Sequence, residues 1–591
     1  MPRSVRNQPQ RGGMFIVIGC QKMISSSVGA TWKSTCRPAG ACSNSVIACY
    51  KHAAPPELAQ WSSSIVASFL LCLLAMWFCL LLSGCARHET RADIVILNGA
   101  EPESLDPAIV TGQPDMRIVM GLFEGLSRFD AHTGLAVPGL AESWEFSTNL
   151  LTYTFHLRTN AVWSTGEPIT AEDFVYSWRR VLDPATAAEY AAQLYYLKNG
   201  EAYNTGKTKD ASSVGVQAID ANTLLVQLIS PTPFFLELCA TPALSVAPRQ
   251  AIEKHGDRWL RSSPLPVSGA YQLEEWRIHD KIRLRKNPLY WDAAQTRNEL
   301  VDFLPIESPN LALNLYDTGQ ADVIWDKNLI PSELMDLLSK RPDCHRFDYL
   351  AIYFIRFNVT RKPLDDARVR KAMTLCVNKQ RIVEKLTRSG EQVANHFTPT
   401  GIANYEPPEG LGYDPEQARQ LLAAAGYPGG KGFPRFQYLF NAGKLNEQIG
   451  IEVQEMWRKE LGIDVELRQM EWKVFLVAQG ALDYDLSRSS WIADYDDPNT
   501  FLDIWMSNNG NNRTGWKSER FDQLLRDGNK QPNPRERTEL LRQAETLLVR
   551  DDPPMVPLWF YKGIAFFDDR KIDGIYFNPL DEHPVNAIGR K

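Results

Sequence analysis

From Arg91 to the C-terminus, short runs of alternating apolar and polar residues are interleaved with stretches of helical period. Leu151-Thr152-Tyr153-Thr154-Phe155-His156-Leu157 alternates with period two and predicts a strand, as does Ile282-Arg283-Leu284-Arg285. Ala171 to Leu182 predicts a helix. Phe174, Trp178 and Val181 share one face, Thr170 stands at the N-cap, and Asp173 three residues on completes a box-like arrangement. Pro415 to Ala425 predicts another helix, with Asp414 as cap, Pro415 in the first position and Gly426 as stop. Asp366 to Val377 and Ile449 to Leu461 read as two more. No unit of roughly 20 to 50 residues recurs, which excludes a solenoid. Helices mixed with short strands point to an α/β architecture.

A different pattern precedes this body. Ile65 to Leu82 is an uncharged apolar run, followed by Ser83-Gly84-Cys85 and polar residues. Its length would just span a bilayer, so an anchor helix and a signal peptide both fit. Leu82-Ser83-Gly84-Cys85 resembles the bacterial lipobox, in which the cysteine is acylated and becomes the new N-terminus. Residues 1–84 are therefore expected to be a leader, Cys85 a lipid-attachment site, and residues 85–91 a linker. The leader is longer than signal peptides usually are, and its nearest base is Lys51. Translation is expected to start downstream of Met1.

Composition narrows the function. A chain of 591 residues has room for two or more domains and a core that needs no disulfide or metal staple. A net charge of -6 argues against a nucleic-acid partner, which would require a clustered basic surface. Of ten cysteines only Cys239, Cys344 and Cys376 follow Cys85, so at most one bridge could form in the body. Catalytic signatures are missing: there is no Gly-x-Ser-x-Gly elbow and no His-Glu-x-x-His pair. Gly200 to Thr208 superficially resembles a phosphate loop, but it has one residue too many between its glycines and no hydrophobic strand leading in. Asp494 to Asn499 looks calcium-like, but lacks the glycine and glutamate that a calcium loop needs. Neither enzyme, cofactor nor metal is expected. The 16 Trp, 20 Tyr and 25 Phe suit a large core and also a binding cleft.

One stretch is distinctive: Trp163-Ser164-Thr165-Gly166-Glu167-Pro168-Ile169-Thr170-Ala171-Glu172-Asp173-Phe174-Val175-Tyr176-Ser177-Trp178-Arg179-Arg180. Ser104-Leu105-Asp106-Pro107, Ala141-Glu142-Ser143-Trp144, Asn287-Pro288-Leu289-Tyr290-Trp291 and Trp491-Ile492-Ala493-Asp494-Tyr495 accompany it in order. Together they resemble the extracellular solute-binding proteins, family 5, that serve peptide ABC importers, with the oligopeptide-binding branch nearest. The resemblance covers about residues 92–591. It implies the two-lobed type II, cluster C periplasmic-binding-protein fold, α/β in class, with an extra domain and a cleft closed about a hinge. Domain I would comprise 92–123, 249–350 and 562–591, domain II 124–248 and domain III 351–561.

A receptor for varied peptides must grip what all peptides share: the backbone, an ammonium and a carboxylate. Strand addition grips the backbone without reading side chains. Buried charges then pair with the termini. The resemblance assigns Asp494 to the α-ammonium and Arg488 to a peptide carboxylate, for which a guanidinium is suited by its paired donors. An extended segment would put these two on one face, being six residues apart. Ser490, Trp491 and Ile492 match the strand that pairs with the peptide. Trp491 and Trp472 would shape side-chain pockets, and Tyr190 and Asn441 match pocket positions. Thr111, Gly112 and Gln113 lie where the opposite lobe meets the peptide backbone. Departures from the family's prototype are Thr111 for an acid, Asn446 for a histidine, Gln479 for an arginine and Arg361 for a lysine, so peptide-length preference is expected to differ. The implied partners are short peptides, the permease and ATPase subunits of an importer, and a bacterial membrane reached through Cys85. The protein would be an extracytoplasmic monomer. Receptors for dipeptides, a murein peptide or a nickel chelate are the alternative within the same fold.

Overall fold

Two long strands organise the molecule. Cys344–Phe357 and Met555–Phe566 run antiparallel, and both are buried over most of their length. The computed structural model describes residues 89–402 and 405–591, so the apolar run 65–82, Cys85 and the leader lie outside the described residues. Of these, Thr90–Lys591 form one unit.

The two strands are the middle of an eleven-stranded sheet. At one end Cys344–Asp348 pairs with Lys562–Phe566, and Phe566 in turn meets Val323–Ile324. From there the sheet continues through Ile94–Leu97, Leu300–Leu304, Lys281–Lys286 and Tyr271–Arg277. At the other end Ala351–Phe357 pairs with Leu486–Ile492, which leads on to Phe436–Asn441 and Val465–Met470. The ladder between the two long strands shifts register between Asp348 and Ile352 and again between Tyr353 and Phe354. Such irregularities bend strands and loosen pairing.

Ala141–Phe146, Thr152–Leu157, Thr223–Gln227 and Val216–Ala218 make a separate antiparallel sheet. The helix Ala171–Leu182 packs on it through Phe174, Trp178 and Val181, all nearly inaccessible. Its capping box forms as expected, with the Thr170 N–H donating to the Asp173 carboxylate at 2.8 Å. The core of this sheet is continuous with residues 491–549, and Phe234 stacks on Tyr495 with ring centroids 4.1 Å apart.

Other expectations hold with shifted ends. The Asp414-capped helix spans Pro415–Ala424 and stops ahead of Gly426, whose positive φ no side chain favours. Asp366 proves to be the N-cap of Ala367–Leu375 rather than its first residue. The helix expected from Ile449 begins at Lys444, because its first turn carries the polar side of the period. Cys239, Cys344 and Cys376 are free thiols. Gly200 to Thr208 is a five-residue helix followed by an exposed turn. Among the described residues no helix is long and apolar enough to cross a membrane, and no cluster could hold a metal ion.

The Asp414 cap carries a test. Its carboxylate accepts from the Gln417 N–H at 2.9 Å. Asp414→Ala should lower unfolding free energy in urea by about 1 kcal/mol, whereas Asp414→Asn, an equally good cap, should stay near the native value.

Candidate functional site

A cavity of about 200 Å³ lies where the two halves of the large sheet face each other. All eleven residues singled out from the sequence line it. Thr111, Gly112 and Gln113 come from the loop and first residue of the helix Gln113–Leu122. Asn441 ends its strand, and Trp472 opens the helix Trp472–Gly480, which Glu471 caps. Tyr190 sits on the turn Glu189–Leu194. Arg488, Ser490, Trp491 and Ile492 belong to Leu486–Ile492, and Asp494 lies two residues beyond its end.

That last strand has an open edge. On one side it pairs along its length with Ala351–Phe357. On the other, Phe436–Asn441 reaches only Leu486 and Ser487. The backbone from Ser489 to Ile492 therefore turns an unpaired edge toward the cavity, a ready template for another extended chain. The Arg488 carbonyl just before it is taken by Gln479 Nε2 at 3.0 Å.

Charge at the site is buried and poorly matched. Asp494 receives Tyr190 Oη at 3.4 Å and Gln193 Nε2 at 3.2 Å, and Gln193 is itself fixed by the Thr241 hydroxyl. Among the described residues no cation forms an ion pair with Asp494. Burial, unrelieved by a counter-charge, pushes its carboxyl up to about 7. Among the described residues Arg488 likewise forms no ion pair. Only 6% exposed, it lies over the Tyr353 ring at 5.1 Å, and its Nε has no hydrogen-bond partner.

Asp494 and Arg488 do not share a face as their even spacing predicts. The strand ends at Ile492, and the chain then turns so that Asp494 meets Tyr190. The Tyr190 ring packs on Trp491, which points away from the Tyr353 side where Arg488 lies. Both side chains nevertheless reach the one cavity.

Several lining residues gave no clear signal in the sequence. Arg356 is 3% exposed and donates to Ser489 Oγ at 3.0 Å and to the Asn511 carbonyl at 2.9 Å. Burial lowers it to about 10. A lone cation inside the apolar run Leu350 to Phe357 was the one hint available. Arg513, also lowered to about 10 by burial, pairs with Glu189 and donates to Gln479 Oε1 at 3.1 Å and Thr111 Oγ1 at 3.4 Å. Of the four departures, Thr111, Asn446 and Gln479 line the cavity and Arg361 does not.

Contacts cross the cleft. Arg513 reaches Thr111, and Lys473 Nζ reaches the Glu103 carbonyl at 3.4 Å. A Cβ at Gly112 would lie 2.6 Å from Asp115 Oδ2 and 2.9 Å from the Trp472 ring, which accounts for glycine at this position.

Comparison with known proteins fits this geometry. The family model for bacterial extracellular solute-binding proteins, family 5, matches residues 136–513. This chain belongs to that family. The periplasmic oligopeptide-binding protein OppA of Salmonella typhimurium is 39% identical over 481 residues, 80% of this chain and 87% of the relative. Haemophilus influenzae OppA in complex with RPPGFSPFR superposes with a TM-score of 0.80 at 31% identity, covering 85% of this chain and 99% of that one. The Escherichia coli murein tripeptide binding protein MppA also gives 0.80, at 32% identity and 85% and 99% coverage. Its unliganded open form gives only 0.57, at the same identity, with 85% and 98% coverage. The fold is thus the two-lobed type II binding-protein fold, and the lobes of this family-5 chain are set otherwise than in that open form.

The unmatched Asp494 carboxylate should cost the folded protein stability in a pH-dependent way. Well below pH 3.8 it is protonated in both folded and unfolded states and costs nothing. Between the ordinary aspartate value of 3.8 and about 7 the unfolded state ionises first, so the penalty grows, and above about 7 it stays constant. Asp494→Asn should therefore match the native protein well below pH 3.8 and exceed it by roughly 2–4 kcal/mol at pH 8, read by urea unfolding of the protein alone.

Proposed function

We propose that this chain is the substrate-binding component of an ABC peptide importer, capturing short oligopeptides between its lobes with little regard for side chains. The observation that carries the reading is the pairing of two incomplete charges across one closed cavity. Asp494 lacks a cation, Arg488 lacks an anion, and an unpaired strand edge lies between them. A zwitterionic extended chain supplies all three deficits at once: an ammonium, a carboxylate and backbone hydrogen-bond partners. The task is binding rather than catalysis.

Asp494 receives the peptide ammonium, Tyr190 and Gln193 holding it in place. Arg488 receives a carboxylate, with Asn441 beside it through Asn446. Ser490, Trp491 and Ile492 add the peptide as a strand, and Thr111, Gly112 and Gln113 close over it from the other lobe. Trp472 and Trp491 bound the side-chain space. The lobes follow the domain division 92–123, 249–350 and 562–591 (I), 124–248 (II) and 351–561 (III). Family membership and the OppA relatives support an extracytoplasmic location. A monomer tethered by acylated Cys85 would present loaded peptide to the permease.

Titration calorimetry with free peptides of roughly two to five residues should give saturable heat, and N-acetylation should weaken binding by about 100-fold or more. Absence of heat from every such peptide, or equal binding of the acetylated forms, contradicts the reading. Affinity should also rise from pH 5 to 7, because Asp494, raised to about 7, must lose its proton to hold an ammonium. It should fall again above about pH 8, where the peptide amine itself deprotonates.

A further inference from the structure

Asp494 is not the only carboxylate at its end of the cavity. Glu582 lines the same wall, and it also lines a second cavity of about 540 Å³ behind it. Among the described residues it is the one acidic residue that lines both. The loop that carries it is fixed. Asn578 clamps the Glu582 backbone from both directions, accepting from its N–H at 3.2 Å and donating to its carbonyl at 2.7 Å. The neighbouring Asp581 holds a left-handed φ of 56° and spends its carboxylate on His583 at 2.9 Å and Gln113 at 3.4 Å.

The Glu582 carboxylate has no such outlet. Among the described residues no lysine, arginine or histidine forms an ion pair with it. Arg117, whose charge offsets part of the cost without forming an ion pair, is engaged with Gln113 Oε1 at 3.0 Å and lies over Trp325 at 5.5 Å. Burial first, then the repulsion of Asp581, pushes Glu582 up to about 8, with Asp494 adding to it. A further group at this end is also unfinished: Trp491, 8% exposed and packed on Tyr190, has an indole N–H without a partner.

We propose that Glu582 is a specificity residue, taking a second positive charge on the first residue of the ligand, so that peptides beginning with lysine, arginine or a similar basic residue are preferred. This rests on the reading of Asp494 as the ammonium receptor. The side chain of the first residue leaves from the carbon that bears the ammonium. A carboxylate close to Asp494, opening onto further space, meets that side chain and gives its length somewhere to go. The two acids then hold two charges that each lacks in the protein alone, and the mutual repulsion between them is relieved.

The test is calorimetry at pH 7.5 on ligand-stripped protein with Lys-Ala-Ala, norleucine-Ala-Ala and Ala-Ala-Lys. Norleucine keeps the length of lysine and drops its charge. The native protein should bind Lys-Ala-Ala about tenfold tighter than the norleucine peptide. Glu582→Gln should bring that ratio close to one by weakening Lys-Ala-Ala alone, leaving norleucine-Ala-Ala and Ala-Ala-Lys within about twofold of native affinity. Equal binding of the first two peptides by native protein, a ratio that survives in E582Q, or an equal loss for Ala-Ala-Lys overturns the inference while leaving peptide capture standing. Failure of all three peptides to bind native protein overturns peptide capture, and this inference with it.

Discussion

A charge taken out of water and left without a counter-ion is expensive, and this protein holds such charges at the centre of its cleft. Asp494 is fixed by two neutral donors, Tyr190 and Gln193, which orient it without neutralising it. Arg488 rests on the face of Tyr353 and leaves Nε unused. Arg356 is satisfied by a serine and a carbonyl rather than by an acid. Other buried charges are paired: Arg283 meets Asp302 through two bonds of 2.7 Å, and Arg180 meets Asp106. Lys379, outside the cavity, is likewise met only by neutral oxygens and lowered to about 7 by burial, but in the cleft the unmatched charges line a space that a ligand would fill.

The scaffold serves that mismatch. Two continuous strands, Cys344–Phe357 and Met555–Phe566, join the halves of the large sheet, and their pairing is irregular at the crossing. Beside Gly112 and Trp472, polar contacts from Lys473 to Glu103 and from Arg513 to Thr111 bridge the cleft. Both hinge strands border the cavity, through Tyr349, Arg356 and Tyr561.

Local chemistry was legible in the sequence. The Thr170–Asp173 box, the Asp414 cap and the Gly426 stop each depend on a few adjacent residues, and each forms. The segment around Asp494 was legible through resemblance, and the eleven residues it implied gather in one cavity. Three-dimensional relations were not. The even spacing of Arg488 and Asp494 suggested one face, but a strand that ends at Ile492 cannot carry its alternation further. Arg513 and Glu582 come from loops with no periodicity, and reach the cavity only because distant segments converge there. Arg513 gains its partner Glu189 across more than three hundred residues of chain, a contact that no spacing rule can supply.

The central claim is that the cleft closes on short peptides held by their termini. Native mass spectrometry of the protein as purified tests this most directly, because a closed, sequence-tolerant receptor should carry what it has captured. The account predicts a ladder of added masses which, released by denaturation, sequence as free-ended peptides. A single non-peptidic adduct, or peptides with blocked amino termini, would contradict it.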